Sequence, residues 1–333
     1  MELVKERYPG CIGEVTLGAT AAQGGTRGHT RQLGGDKAMP FLGFEGAIPH
    51  RPLVAMEVVD RVPEWPDPLA EALGPVLDDP AAWARRCVEE LGADLICLRL
   101  QSADPELGDA GPKECAATVR QVLQAVPVPL VVVGCGLEAK DNLVLPYVAE
   151  ACAGENLLLG AATQENYRTL TAACLVYGHA LIALSPIDIS IGKQLNILIG
   201  EMGLPLERVV SDPTTGALGY GIEYTYSIIE RWRLGALSGD RALALPAICQ
   251  VGQEAWRTKE AGAHEEVPGW GDSSARGVLW EALTATALLQ AGAHLVVLRH
   301  PRAVCLVKRH IDEMMGAGEA VLPGEEASGD PHR

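Results

Sequence analysis

At 333 residues, 48% of them hydrophobic and 21% charged, the chain has the composition of an ordinary globular protein with a sizeable core. A formal net charge of −16 provides no basic surface to neutralise phosphates, which argues against nucleic acid or an anionic membrane surface as partners. No apolar run approaches the ~20 residues needed to span a bilayer, and the first ten residues lack the apolar core of a secretory signal, so a cytoplasmic protein is expected.

The first ~50 residues differ in pattern from the rest of the chain. GEVTLGAT (13–20) and HTRQLGGD (29–36) predict two strands of a hairpin joined by a Gly-rich turn. From Pro52 onward, short apolar runs alternate with amphipathic segments. The predicted strands are 52–60, 94–100, 129–134, 156–162, 180–185, 208–213, 245–251 and 294–299. Several are nearly continuous apolar runs, as expected of parallel strands buried on both faces. Helices are predicted near 80–91, 113–125, 139–153, 165–177, 189–202, 219–236, 276–291 and 301–315. Gly92, Gly235 and Gly292 follow helical stretches and predict left-handed C-caps. Eight units in strict alternation, none opening with the GxGxxG of a dinucleotide fold, predict an α/β protein of the (β/α)8 TIM barrel class with an N-terminal β-hairpin extension. The expected organisation is an extension over residues 1–50, a barrel over 51–315 and a disordered acidic tail over 316–333, where Gly, Glu and Pro dominate. The hairpin would plug the N-terminal mouth or extend that rim.

Function in such barrels sits at the C-terminal ends of the strands and in the loops that come after them. The nine cysteines are widely spaced with no C-x-x-C pair, so neither a structural zinc nor an iron–sulfur cluster is expected within this chain. No Ser-His-Asp, H-E-x-x-H or P-loop arrangement occurs, and no catalytic set or metal cage is visible. The third strand ends in Gly134, Cys135 and Gly136; the fifth leads to Asp188, which could equally cap the following helix. The sixth loop is richer. Asp212, Thr214, Thr215, Gly216, Gly219 and Tyr220 combine hydroxyls with glycines that let a backbone approach a large ligand. The long seventh loop carries Trp256 and Trp270, aromatic residues of the kind that anchor interfaces.

The segments GGTRGHT (24–30), GGDKAMPF (34–41), ENLLLGAATQENY (155–167), SPIDISIGKQLNILI (185–199), DPTTGALGYGIEYTYSIIER (212–231), EAWRTKEA (254–261), PGWG (268–271) and LWEALTATALLQAGAHLVVLRHP (279–301) together resemble the small subunit of the corrinoid iron–sulfur protein, which corresponds to the delta subunit of the acetyl-CoA decarbonylase/synthase complex. The likeness runs in order from about residue 13 to about 315. It implies a non-catalytic methyl-carrier subunit of the reductive acetyl-CoA (Wood–Ljungdahl) pathway in an anaerobe. A larger subunit would hold the iron–sulfur cluster and a corrinoid domain, forming a heterodimer with cobalamin lying between the two chains. A methyltransferase acting on methyl-tetrahydrofolate or methyl-tetrahydromethanopterin would supply the methyl group, and the nickel site of acetyl-CoA synthase, working with CO dehydrogenase, would receive it. Barrel geometry then places Asp212, Thr214, Thr215, Gly216, Gly219 and Tyr220 on the corrin face, with Gly134, Cys135, Gly136 and Asp188 beside them. The alternative is a barrel methyltransferase acting directly on a methyl-pterin. That reading needs Asp and Asn side chains converging from strand ends, whereas Asn142 and Asn196 fall on predicted helices.

Overall fold

The computed structural model describes residues 4–263, 267 and 269–316. An antiparallel pair, β1 (Val15–Leu17) and β2 (Arg31–Leu33), precedes the barrel. The barrel strands are β3 (Leu53–Val59), β4 (Leu95–Arg99), β5 (Leu130–Val133), β6 (Leu158–Ala162), β7 (Ala180–Leu184), β8 (Val209–Asp212), β9 (Ile248–Cys249) and β10 (Leu295–Leu298). They pair in parallel in the order β8-β7-β6-β5-β4-β3-β10-β9. A single bridge between Ser211 and Ala247 closes β8 onto β9, supported by the Ser211 amide donating to Pro246 O at 2.9 Å.

Helices α1 (Asp67–Leu73), α2 (Pro80–Glu89), α3 (Pro112–Ala125), α4 (Glu138–Ala151), α5 (Tyr167–Tyr177), α6 (Ile189–Glu201), α7 (Ile222–Leu237), α8 (Val251–Ala255), α9 (Lys259–Gly262), α10 (Ser273–Ala291) and α11 (Pro301–Gly316) surround the strands. Their starts reflect local chemistry. Asp79 accepts hydrogen bonds from the amides of Ala81 and Ala82 ahead of Pro80, a side-chain cap followed by a proline that has no amide to satisfy. All eight strands and eight helices expected from the alternation are present. Alternation alone does not show α1, α8 or α9, which are short helices inside the first and seventh loops.

Two cores arise from strand parity. Val54, Met56, Val58, Ile96, Leu98, Leu130 and Val132 face the helices. Leu53, Ala55, Leu95, Cys97, Val131, Val133, Ala180, Ile182, Val210, Ile248, Leu295 and Val297 fill the barrel interior. Val15, Leu17 and Leu33 of the hairpin join that interior cluster and are almost fully buried, so the hairpin plugs the N-terminal mouth.

Arg27, in the turn between β1 and β2, fastens the plug. Its guanidinium donates to Glu155 Oε2 at 3.0 Å, Val126 O at 2.6 Å and Leu123 O at 2.6 Å. Leu123 lies in the last turn of α3, where carbonyls lack helical partners and a cation is favoured. A second anchor is Arg233 of α7, which donates to Asp36 Oδ2 at 2.6 Å and to Ala38 O at 2.8 Å.

One cap expectation is corrected. Gly92 and Gly292 take positive φ, but Gly235 lies inside α7, which continues to Leu237. A Cβ on Gly235 would lie 2.6 Å from Leu243, so glycine serves there for close packing rather than for a left-handed turn. The acidic tail lies outside the described residues except for Gly316, the last residue of α11. No described helix is long and apolar enough to cross a membrane.

Candidate functional site

Carrying strand parity two residues past the interior apolar layer brings polar side chains into the C-terminal mouth: Glu57 on β3, Arg99 on β4, Asp212 on β8, Gln250 after β9 and Arg299 after β10. Glu57 is fully buried between the two guanidiniums, with Arg99 Nε on Oε1 and Arg299 Nε on Oε2, each at 2.5 Å. Those two cations outweigh the desolvation of Glu57 and hold its carboxyl down at about 2. Arg99 Nη2 also donates to Gln250 Oε1 at 3.2 Å, and the Gln250 side chain supports the Asp212 carboxyl. A connected polar floor thus crosses the mouth from Arg299 to Asp212.

Above this floor lies a cavity of ≈ 280 Å³, lined among others by Arg99, Asn166, Asp212, Thr214, Thr215 and Gln250. Asp212 is 3% exposed, and burial pushes its carboxyl up to about 7 even though Oδ1 accepts from the Thr214 amide at 3.0 Å. The unfolded carboxyl titrates near 3.8, so the favourable contribution of Asp212 is complete below that pH and is lost as pH rises through about 7. Asp212→Asn, which never ionises, is therefore expected to gain stability relative to the parent chain as pH is raised from about 4 to 7. Urea unfolding of both proteins at several pH values checks this, and a difference that stays constant across the range contradicts it.

Of the residues expected on the corrin face, Asp212, Thr214, Thr215, Gly134 and Gly136 line this cavity. Cys135, Asp188, Gly216, Gly219 and Tyr220 are not part of its lining. Cys135 is half-buried at the rim, its Sγ 3.4 Å from Asp141 Oδ1, and burial together with that carboxylate pushes its thiol up to about 11. Asp141 accepts from the amides of Cys135 at 2.9 Å and Gly136 at 3.1 Å, fixing the third loop. A Cβ on Gly134 would lie 2.1 Å from Asp141 Oδ1, which explains the glycine. Asp188 caps α6 through the amides of Ser190 at 2.7 Å and Ile191 at 3.0 Å.

The sixth loop uses much of its hydrogen-bonding capacity internally. Thr214 Oγ1 donates to Ser185 O at 2.6 Å, Thr215 Oγ1 accepts the Gln250 amide at 2.8 Å, and the Gly216 amide donates to Thr225 Oγ1 at 2.7 Å. Gly219 and Tyr220 lean away from the cavity: Gly219 approaches Trp280, and the Tyr220 hydroxyl donates to Glu260 Oε2 of α9 at 2.9 Å.

The two tryptophans of the seventh loop have different roles. Trp256 is buried, stacks on His300 at 5.8 Å and donates from Nε1 to Glu281 Oε2 at 2.8 Å. Buried Glu281, pushed up to about 7 by desolvation, also accepts the Arg299 amide at 2.5 Å and the His300 amide at 3.1 Å, tying α8 to the end of β10. Trp256 is thus an internal anchor. Trp270 is exposed, with Arg276 over its ring at 5.4 Å, and its neighbours His264, Glu265, Glu266 and Pro268 lie outside the described residues.

Arg99, Asn166 and Gln250 are among the cavity residues that sequence reasoning misses, with Glu138, Asp141, Thr163, Gln253 and Glu254 also in the lining. Extending inward parity to the strand ends would find Arg99 and Gln250. Asn166 lies on the fourth loop, and no periodicity marks it. Asn142 sits in α4, and Asn196 in α6 is buried and donates to Ala242 O at 2.9 Å; neither lines the mouth cavity. Among the described residues no group of three or more His, Cys, Asp or Glu is placed to hold a metal ion.

The family model described as CO dehydrogenase/acetyl-CoA synthase delta subunit matches residues 14–311. The chain is 40% identical over 332 residues to the acetyl-CoA decarbonylase/synthase complex subunit delta of Archaeoglobus fulgidus, covering 97% of this chain and 73% of that protein. It is 40% identical over 307 residues to the subunit delta of Methanopyrus kandleri, covering 92% and 76% of the two chains. Among solved structures it is similar to dihydropteroate synthases from Xanthomonas albilineans and Thermus thermophilus. The first has TM-score 0.56 at 14% identity, covering 82% of this chain and 94% of that one. The second has TM-score 0.54 at 17% identity, covering 82% and 95%. At such identity the likeness shows the barrel fold alone.

Proposed function

Because the chain belongs to the CO dehydrogenase/acetyl-CoA synthase delta subunit family, we propose that it works as the small subunit of a corrinoid methyl carrier, its barrel mouth covering a corrin held largely by a larger iron–sulfur subunit. The observation that carries this reading is the family match across nearly the whole barrel. The mouth suits such a role. Its cavity stands at the small end of the about 300–1,000 Å³ range of ligand pockets, and in this reading the corrin is met as a face over the opening. Gly136, at φ 91° with nothing within 4 Å of its Cβ position, leaves the rim open to close approach.

Cobalt in the corrinoid, when bound, supplies the methyl-transfer chemistry, and the protein supplies orientation and exclusion of water. In this reading Asp212, Thr214, Thr215, Gly134 and Gly136 meet the corrin directly and Cys135 stands beside them, while Gly216, Gly219, Tyr220 and Asp188 fix the loops and helix starts that carry them. The polar floor beneath them is already cross-linked by Glu57, Arg99 and Gln250, so it holds its shape while partners exchange. The methyl group would come from a methyl-tetrahydropterin through a separate methyltransferase and go to the nickel site of acetyl-CoA synthase.

Anaerobic purification of the native complex tests this. The chain is expected to co-purify with a larger subunit, and the complex to contain both corrinoid and iron. A colourless protein without a partner would overturn the assignment. The second reading, direct methyl transfer from a methyl-pterin, is favoured by Asp212 and Asn166 facing one cavity. Turnover of methyl-tetrahydrofolate with reduced cobalamin by the isolated chain would establish it against the carrier.

A further inference from the structure

The GGDKAMPF stretch (34–41) takes no part in the mouth, yet it carries a buried charge to the opposite end of the barrel. Gly34 and Gly35, at φ 84° and 83°, turn the chain after β2 in a conformation that other side chains rarely adopt, and so deliver Asp36 beneath the strands. There it meets Arg233 of α7 and His294, the residue before β10. Asp36 and Arg233 are each 3% exposed, so bulk water does not serve them.

The hydrogen bonds of this cluster do not balance. Asp36 Oδ2 accepts from Arg233 Nη2 at 2.6 Å and from His294 Nε2 at 3.2 Å, while Oδ1, also buried, has no partner among the described residues. His294 Nδ1 accepts the Ala247 amide at 3.1 Å, which places the ring proton on Nε2. Burial holds the imidazole pKa below its ordinary value, so the ring is neutral with that one proton. A protonated Nε2 cannot accept from Arg233 Nη1, although the two atoms are 3.5 Å apart. Arg233 Nε and Nη2 are occupied by Ala38 O and Asp36, which leaves Nη1 without an acceptor among the described residues. Both residues line one cavity of ≈ 20 Å³, walled by Pro40, Phe41, Ile48 and Leu289 with His50 beside them.

Size and charge select what this cavity takes. A water needs about 10–15 Å³ of such space, so one water fits and a larger molecule does not. Desolvation raises the Asp36 carboxyl, but His294 and Arg233 together outweigh it and keep the group ionised at neutral pH. A cation drawn to Asp36 would therefore face the Arg233 guanidinium, and an anion drawn to Arg233 would face the carboxylate. An apolar filler would strand both groups at the desolvation cost of each. Water is neutral and serves as donor and acceptor at once.

We propose that this cavity is a binding site for one ordered water molecule, which donates to Asp36 Oδ1 and accepts from Arg233 Nη1. The water completes the second anchor of the N-terminal extension, joining the chain that leaves the plug to α7 and to the entry of β10. The site is independent of the mouth and of the carrier reading.

A high-resolution crystal structure of the full chain tests this. One peak is expected at about 2.7–3.2 Å from both Asp36 Oδ1 and Arg233 Nη1. Crystals grown with rubidium and, separately, with bromide are expected to show no anomalous signal there. A signal from either would put an ion in place of the water and overturn the proposal, as would Asp36 Oδ1 resting on a protein donor with no peak between. In solution, oxygen-17 relaxation dispersion of the solvent counts internal waters that exchange slowly. Ile48→Phe, which enlarges the apolar wall and keeps Asp36, Arg233 and His294, is expected to lose the amplitude of one water. Asp36→Leu, which removes the acceptor at similar volume, is expected to lose the same. Circular dichroism establishes which variants fold, and unchanged amplitude in every variant that does overturns the site.

Discussion

Glu57→Ala is expected to lose about 3–5 kcal/mol of folding stability at pH 7, the range for breaking a buried ion pair and leaving its partner charged. The side chain is fully buried with a guanidinium on each oxygen, so its removal leaves Arg99 and Arg299 facing each other without the carboxylate between them. Neither cation is easily relieved. Arg299 lies over the Trp65 ring at 4.6 Å, and Arg99 is tied to Gln250. The effect carries a pH signature. The Glu57 carboxyl is held at about 2 against 4.5 in the unfolded chain, so its contribution is complete above pH 4.5 and is lost as pH falls towards 2. Urea unfolding at pH 7 and at pH 3 measures both aspects, and the gap between parent and variant should narrow at the lower pH. A loss below about 1 kcal/mol at pH 7 would mean that the two arginines find other partners.

Arg27→Met is expected to cost a similar amount, about 3–5 kcal/mol, at the opposite end of the barrel. The substitution keeps an apolar stem but leaves Glu155, 8% exposed, without its cation. It also strips charged donors from Leu123 O, Val126 O and Val128 O, where α3 ends and the chain turns into β5. Arg27→Lys should recover little, since a single ammonium cannot reproduce a planar fork that reaches several carbonyls at once. Hydrogen exchange locates the damage. The amides of β1 and β2 should lose protection before those of the barrel strands, because Arg27 joins the plug to the barrel while the barrel strands keep their own pairing. Uniform loss of protection across the whole chain would contradict this account.

The barrel was legible because its signal is repeated. Eight apolar runs separated by helical periods leave few architectures, and each unit corroborates the others. The hairpin was legible for a different reason: its two strands flank a Gly-rich turn in a stretch with no helical period. The site was legible only in part. Asp212, Thr214 and Thr215 stand out because glycines cluster beside them, and all three line the cavity. Asp188 shows why residue type alone misleads: an Asp before a helix has a local use, and the amides of Ser190 and Ile191 take it. Trp256 reads as an interface anchor until Glu281, 25 residues further along, is seen to receive its indole N–H. Asn166 sits four residues past the end of β6, where the strand-end rule points, but the helix predicted near 165–177 covers it and so passes it over. GGTRGHT is instructive in the opposite sense. It contributes to the family resemblance, yet its arginine secures the plug far from the candidate pocket.

The plug has a further consequence. With the barrel interior filled from Leu53 to Val297 and Val15, Leu17 and Leu33 packed against its lower end, the barrel is a cup and not a tube. Whatever reaches the chamber above the Glu57–Arg99 floor must leave by the door it came through. If a giver and a taker both need that door, they cannot be seated together, and cargo passes between them by turn-taking. The clock for such a cycle would then be set by how fast one visitor vacates the doorway for the next.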